Sequence, residues 1–161
     1  AARGPPVVRA HALLSTACTA DSEETKAGRQ IAIEQARTDF PALADRLARA
    51  MLSRSSRADA ALLADTHAMI LRCGADRFAE QQAATATRVD RCDLLPRLAV
   101  PATILAGAQD AIVAPDRSRE MAEVIPDATL AMVPECGHVP QREAPDVTRA
   151  MLLRWRERMT P

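Results

Sequence analysis

The rhythm of apolar positions changes three times along this chain. After a breaker-rich lead-in over residues 1–6, Val7 to Ser15 reads VVRAHALLS. That short apolar run with β-branched residues at its start predicts a strand. Ser15 to Ala20 then forms a loop at its carboxyl end. From Asp21 to Arg88 the chain is rich in Ala, Arg, Glu and Gln, all strong helix formers except where a cap is needed. Asp21 and Glu24 have the spacing of a capping box, which predicts a helix over 22–37. Pro41 suits the first turn of a second helix reaching about Ser53, with Leu43, Leu47 and Met51 on one face. A third helix spans about 57–72 and carries Leu62, Leu63, Met69 and Ile70. Gly74 is its stop. A fourth covers about 76–87 and carries Phe78.

A different pattern follows a connection at 88–98. Val100 to Ala106 is apolar on both faces, as a buried parallel strand is. Gly107 to Asp110 is a tight turn. Pro115 and Asp116 open a helix that ends before Pro126, Asp116 sitting at its positive end. Ala128 to Val133 is a third strand, and Pro134 to Gln141 a loop. Pro145 opens a last helix with Val147, Met151, Leu152 and Trp155 on one face. Strand, helix, strand, helix is an α/β pattern with right-handed crossovers. The chain divides into a strand and loop at 1–20, a helical block at 21–90, and a second α/β part at 91–161.

Composition narrows the function classes. Lys plus Arg equals Asp plus Glu, 21 each, and the net charge is zero. No basic field points to nucleic acid and no acidic run to a disordered tail. No apolar run approaches the roughly 18–20 residues that span a bilayer. No signal segment is visible, although the chain opens on Ala1 and not Met. A cytoplasmic protein is the expectation. Cys18, Cys73, Cys92 and Cys136 form no CxxC pair and have no His at zinc-ligand spacing, so they read as small buried thiols, with no metal or organic cofactor implied. Cys136 stands out only because it precedes His138 by two residues.

Candidate chemistry lies in the second α/β part. In an open parallel sheet, functional groups gather outside the carboxyl ends of the strands. Asp110 and His138 each follow a strand at that end, 28 residues apart. One helix and one strand bridge that distance, so their strands are neighbours and the side chains can meet. A carboxylate there accepts the imidazole Nδ1–H, fixes the tautomer and leaves Nε2 free as a base. Gly107 permits the sharp turn, and Gly137 lets the backbone swing His138 over the strand ends. Ile112, Val113 and Val139 flank the pair as pocket walls, with simple packing as the competing role. A lone Asp after a strand is usually a turn residue, and a lone His in a loop is usually surface decoration. Their joint occurrence in this setting favours the catalytic reading. His11 and His67 read as a core and a solvated histidine. Met51, Met69 and Leu62 read as core.

The residues VPATILAGAQD at 100–110, Pro126-Asp-Ala, Gly137-His138 and Glu143-Ala-Pro145 together resemble the C-terminal part of the α/β-hydrolase fold family. The resemblance covers residues 97–156 well and Val7 to Asp21 weakly. Phe78 to Pro96 is similar to a subset of esterases and enol-lactonase-like hydrolases. The resemblance implies about three strands of a mostly parallel hydrolase sheet, with the helical block as a cap over the active site. It makes Asp110 the triad acid and His138 the triad histidine, in the family's order of Ser, Asp, His. It implies a small-molecule ester or lactone as substrate.

The departure is as informative. None of the five glycines, at 4, 28, 74, 107 and 137, forms G-x-S-x-G, and no HGGG-type oxyanion loop is present. The family's first strands have no counterpart. The chain therefore resembles a C-terminal fragment, inactive alone, with an unpaired strand edge open to self-association. Ser15, at a strand end, lacks the flanking glycines of a nucleophile elbow. The alternatives are a non-catalytic remnant or interaction protein, or a dehalogenase, epoxide hydrolase or C–C hydrolase of the same fold.

Overall fold

A computed structural model describes residues 8–159. Three strands form one parallel sheet in the order β1-β2-β3. They are β1 (His11–Leu14), β2 (Ala102–Gly107) and β3 (Ala128–Val133). His11 pairs with Ala102 and Ala102 with Ala128, so all three strands start at one level; β2 and β3 end together at Gly107 and Val133, two residues beyond the end of β1. β2 is central and every residue of it is buried, as its unbroken apolar run requires. The first strand is shorter than its sequence suggested. Val7 lies outside the described residues, and Ser15 leaves extended geometry at φ +44°.

Between β1 and β2 lie only helices. α1 spans Glu23–Met51 but is broken at Asp39, whose φ and ψ are −152° and 76°. The Asp39 carboxylate accepts from Ala42 N–H at 3.1 Å, so it caps the second half. Pro41 follows within that half's first turn, where its missing N–H costs nothing. Two helices meeting at Pro41 are thus what the sequence predicted. The first cap differs: Ser22 Oγ accepts from Thr25 N–H at 3.1 Å. Asp21, expected in a capping box, instead turns inward to Arg29 and Arg88. α2 (Ala60–Cys73) starts later than predicted, because Asp59 caps it by accepting from Ala61 and Leu62. A 3-10 turn at Ser56–Ala58 precedes it. Gly74, at φ +80°, separates it from α3 (Ala75–Ala86).

The second part carries α4 (Pro115–Val124), the short α5 (Pro140–Glu143), which begins within the loop expected at 134–141 and runs past it, and α6 (Pro145–Glu157). A 3-10 stretch at Cys92–Arg97 lies in the connection to β2. Two cores hold the molecule. One joins Ala36, Phe40, Leu43, Ile70 and Phe78 in the helical block, with the Phe40 and Phe78 rings 5.8 Å apart. The other joins Leu95, Ile104, Met121 and Ile125 under the sheet. Each fully buried aliphatic side chain contributes roughly 1.5–3 kcal/mol.

The cysteines correct the sequence reading. Cys18 and Cys92 form a disulfide across a separation of 74 residues. The first follows β1 and the second starts the connection to β2, so the bond joins the two ends of the helical block. Their neighbouring chains already meet through Arg91 N–H donating to Cys18 C=O at 2.9 Å. Cys73 and Cys136 are free. Among the described residues, no helix is long and apolar enough to cross a membrane.

Candidate active site

β2 and β3 deliver their following loops to the same end of the sheet. Asp110 ends the turn after β2, and His138 lies in the loop after β3. The turn is fixed by Ala108 N–H donating to Val133 C=O and Gln109 N–H to Cys136 C=O, at 2.8 and 2.9 Å. Asp110 is buried, 6% exposed. Its Oδ1 accepts from the Ile112 and Val113 backbone N–H groups at 2.8 and 2.9 Å. Its Oδ2 lies 2.9 Å from His138 Nδ1. A carboxylate oxygen accepts, so Nδ1 donates and Nε2 carries the lone pair. Among the described residues Nε2 has no hydrogen-bond partner. Two backbone donors thus hold one carboxylate oxygen while the other orients the imidazole.

The glycines act by close approach and not by a special conformation, since among the described glycines only Gly74 has positive φ. A Cβ on Gly107 would lie 2.1 Å from Gly137 C=O. A Cβ on Gly137 would lie 2.6 Å from Met51 C=O and 2.7 Å from Ser53 N. The His138 loop is therefore pressed between the β2 turn and the end of α1. It is also stitched there. His138 N–H donates to Met51 C=O at 2.7 Å. Glu143 Oε2 accepts from Ser53 N–H at 2.7 Å, and its Oε1 from Gly137 N–H at 2.8 Å. Gln109 Oε1 accepts from Arg54 N–H at 3.0 Å. Arg142 pairs with Asp65 of α2. Glu143 is the positioning residue that sequence reasoning missed. It stood in the motif Glu143-Ala-Pro145, but nothing in the pattern told what its carboxylate would hold.

Cys136 is buried against the same carboxylate. Burial first, and then Glu143, push its thiol up to about 12. It is a neutral packing group at physiological pH and not a nucleophile.

A cavity of about 450 Å³ opens beside His138, between the strand ends and the helical block. Ile112 and Val113 line it, as expected for pocket walls, and Val139 does not, being buried at 3% exposure. Met51 and Met69 line it too, whereas they were expected in the core. Leu47 to Met51 and Met69 to Cys73 lie on helix faces that reach both the block's core and this space. His11 sits in β1 and His67 on α2, both away from the pair. Ser15 is at the cavity wall with its Oγ buried and unpartnered among the described residues. A larger hollow of about 670 Å³ lies between β3 and α6, lined by residues that include Thr103, Thr129, Met151 and Arg154.

A parallel three-stranded sheet with an acid and a histidine at its carboxyl ends defines an α/β protein of hydrolase type. The alpha/beta hydrolase fold family matches residues 13–145, and the chain belongs to that family. Among solved structures it is similar to a thermophilic esterase from Thermogutta terrifontis with malate bound, at 30% identity and a TM-score of 0.84. That match covers 94% of this chain and 57% of the esterase. The enol-lactonase from Burkholderia xenovorans LB400 matches at 22% identity and 0.80, over 93% of this chain and 56% of that one. Est816, an N-acyl homoserine lactone degrading enzyme, matches at 19% and 0.69, over 91% and 57%. The last two establish likeness of fold. The chain spans a little over half the length of each. A comparison with curated proteins finds no match.

Proposed function

We propose that this chain supplies the acid and base of a serine-type ester or lactone hydrolase. The observation that carries the reading is the 2.9 Å contact between Asp110 Oδ2 and His138 Nδ1, at the mouth of a cavity on adjacent parallel strand ends. His138 Nε2 takes the proton of a serine hydroxyl as that oxygen attacks the acyl carbon. It then gives the proton to the leaving alcohol, and in the second half-reaction it activates water. Asp110 orients the ring and stabilises the imidazolium formed in between. The serine and the oxyanion donors lie outside these 161 residues, on the strands that would pair with the open edge of β1. The helices between β1 and β2 act as a cap over the site. The esterase and lactonase neighbours support an ester or lactone substrate.

The test is hydrolysis of p-nitrophenyl acetate. The 161 residues alone should give no turnover above buffer, because acyl transfer needs nucleophile and oxyanion donors placed together. Joined to a segment that brings a G-x-S-x-G serine, they should hydrolyse it, and His138→Ala should abolish that. Brisk hydrolysis by the 161 residues alone, lost in His138→Ala and kept in Ser15→Ala, would contradict the proposal. An aspartate in the elbow would redirect it to dehalogenase or epoxide chemistry. The outer edge of β1, unpaired among the described residues, favours a second reading, self-association of a non-catalytic protein through that edge. Sedimentation tests the open edge, and a clean, cooperatively folding monomer would count against both this reading and the fragment reading.

A further inference from the structure

The cavity beside His138 has two kinds of wall. α3 presents Phe78, Gln81, Gln82 and Thr85 to it, one helix face at three- and four-residue spacing. Around Phe78 the wall is apolar, with Leu47, Met69 and Ile70. Toward the end of α3 it becomes polar, and Arg29 and Arg88 join it. Among the described residues, two arginines and no carboxylate line this space.

The two guanidiniums are not equivalent. Every nitrogen of Arg29 is engaged. Its Nε and Nη2 donate to Asp21, and its Nη1 to Gln82 Oε1 at 2.7 Å. Asp21 is shielded, with only 5% of its side chain exposed, and Arg29 holds its carboxyl below the usual range. Arg88 reaches that same Asp21 through one Nη at 3.4 Å, and 39% of its side chain is exposed. Its other N–H groups have no partner among the described residues. One carboxylate therefore faces two cations, and the charge left over belongs to Arg88. Lys26 is taken by Glu23 at 2.7 Å. The arrangement is also held in place. The Cys18–Cys92 disulfide and the hydrogen bond from Arg91 to Cys18 lie within a few residues of Asp21 and Arg88.

We propose that Arg88, backed by the Arg29–Asp21 clamp, binds a carboxylate carried by the substrate. The site described above then takes half-esters or lactones bearing a free acid group in preference to neutral ones. The choice of ester or lactone rests on the hydrolytic reading, whereas the anion contact does not. A guanidinium binds a carboxylate in two parallel hydrogen bonds, which a neutral amide or ester cannot reproduce. An arginine kept only to tie residue 88 to Asp21 would treat neutral and anionic ligands alike.

Binding of two uncleaved probes separates these roles. N-methylglutaramic acid carries the charge, and N,N′-dimethylglutaramide is its neutral counterpart. Both are titrated into the protein with 13C-methyl methionine, so that Met51 and Met69 report occupancy of the cavity. The acid should bind at least about tenfold more tightly at low salt, the worth of one charge-assisted pair. That preference should shrink as salt is added, fall to near one in Arg88→Gln, and survive in part in Arg88→Lys. Equal affinities in the unaltered protein, no saturable shift with the acid, or a preference that Arg88→Gln leaves intact would each overturn it. The first two need no variant, so a misfolded Arg88→Gln does not protect the idea. Anion preference in this chain, with no ester hydrolysis once a G-x-S-x-G serine is supplied, would remove the hydrolytic reading alone. Hydrolysis without anion preference would remove this inference alone.

Discussion

The helical block is fastened to the sheet at two places, and the fastenings are unlike. At the His138 loop, the end of α1 meets the sheet through backbone. Met51 accepts from His138, Ser53 donates to Glu143, and Gly137 lies where any side chain would strike Met51 and Ser53. At the β1 end, where the block leaves and rejoins the sheet, the disulfide Cys18–Cys92 ties its two ends to each other, with one backbone hydrogen bond and the Asp21 clamp beside it. A mesh of short hydrogen bonds and close contacts fixes position and angle together. A disulfide fixes mainly the distance between two chain segments. The mesh lies where the proposed function needs His138 aimed at a reacting atom. The covalent bond lies where two chain ends need only be kept together.

That contrast can be broken from either side. The largest effect belongs to the pair that the mesh aims. In a protein that supplies the nucleophile, Asp110→Asn should lower kcat by about 10⁴-fold with KM little changed, since the imidazole loses its tautomer and its counter-charge. A loss below tenfold would mean the carboxylate only shapes the turn. At the other fastening, reducing Cys18–Cys92 frees a loop of 74 residues, which costs about 4 kcal/mol in the chain-entropy account. Urea unfolding with and without reductant measures it. A shift under about 1 kcal/mol would show that the reduced, unfolded chain already keeps these two segments near each other.

Smaller effects test the mesh itself. Gly107→Ala places a methyl 2.1 Å from the Gly137 carbonyl, and backbone must move to admit it. Thermal unfolding should report a loss of about 1–3 kcal/mol or more. Gly28→Ala, with nothing near its Cβ, should not destabilise, and it serves as the control. The smallest effect is a chemical silence. With its thiol pushed to about 12 by burial and Glu143, Cys136 stays protonated at pH 8. Iodoacetamide should leave it untouched in the native protein while labelling the half-buried Cys73. Rapid modification of Cys136 would mean that the loop opens.

Much of the sheet side was legible in the sequence. β3 runs over Ala128–Val133 as the apolar pattern predicted, and β2 is shifted by two residues at its start. Asp110 and His138 could be paired because a parallel sheet puts successive strand ends together, and because the surrounding residues resemble a known family. What stayed hidden depends on contacts between distant segments. Cys18 finds Cys92 only because the helical block returns to its starting point. Asp21 looked like half of a capping box, since the pattern at 21–24 carries no trace of Arg88. Gly107 and Gly137 were expected to relieve a turn, whereas their worth is the space they leave. Met51 and Met69 have ordinary core spacing, and no periodicity tells a core face from one that borders a cavity.

The proposed chemistry depends most on how Asp110 holds His138, and the ring's tautomer reads this directly. Long-range ¹H–¹⁵N correlation on the labelled protein, at a pH where the imidazole is neutral, assigns the proton to one nitrogen. The account predicts Nδ1–H with a bare Nε2, and loss of that preference in Asp110→Asn. A proton on Nε2 in the unaltered protein would contradict it, because the nitrogen assigned as base would have no lone pair to offer.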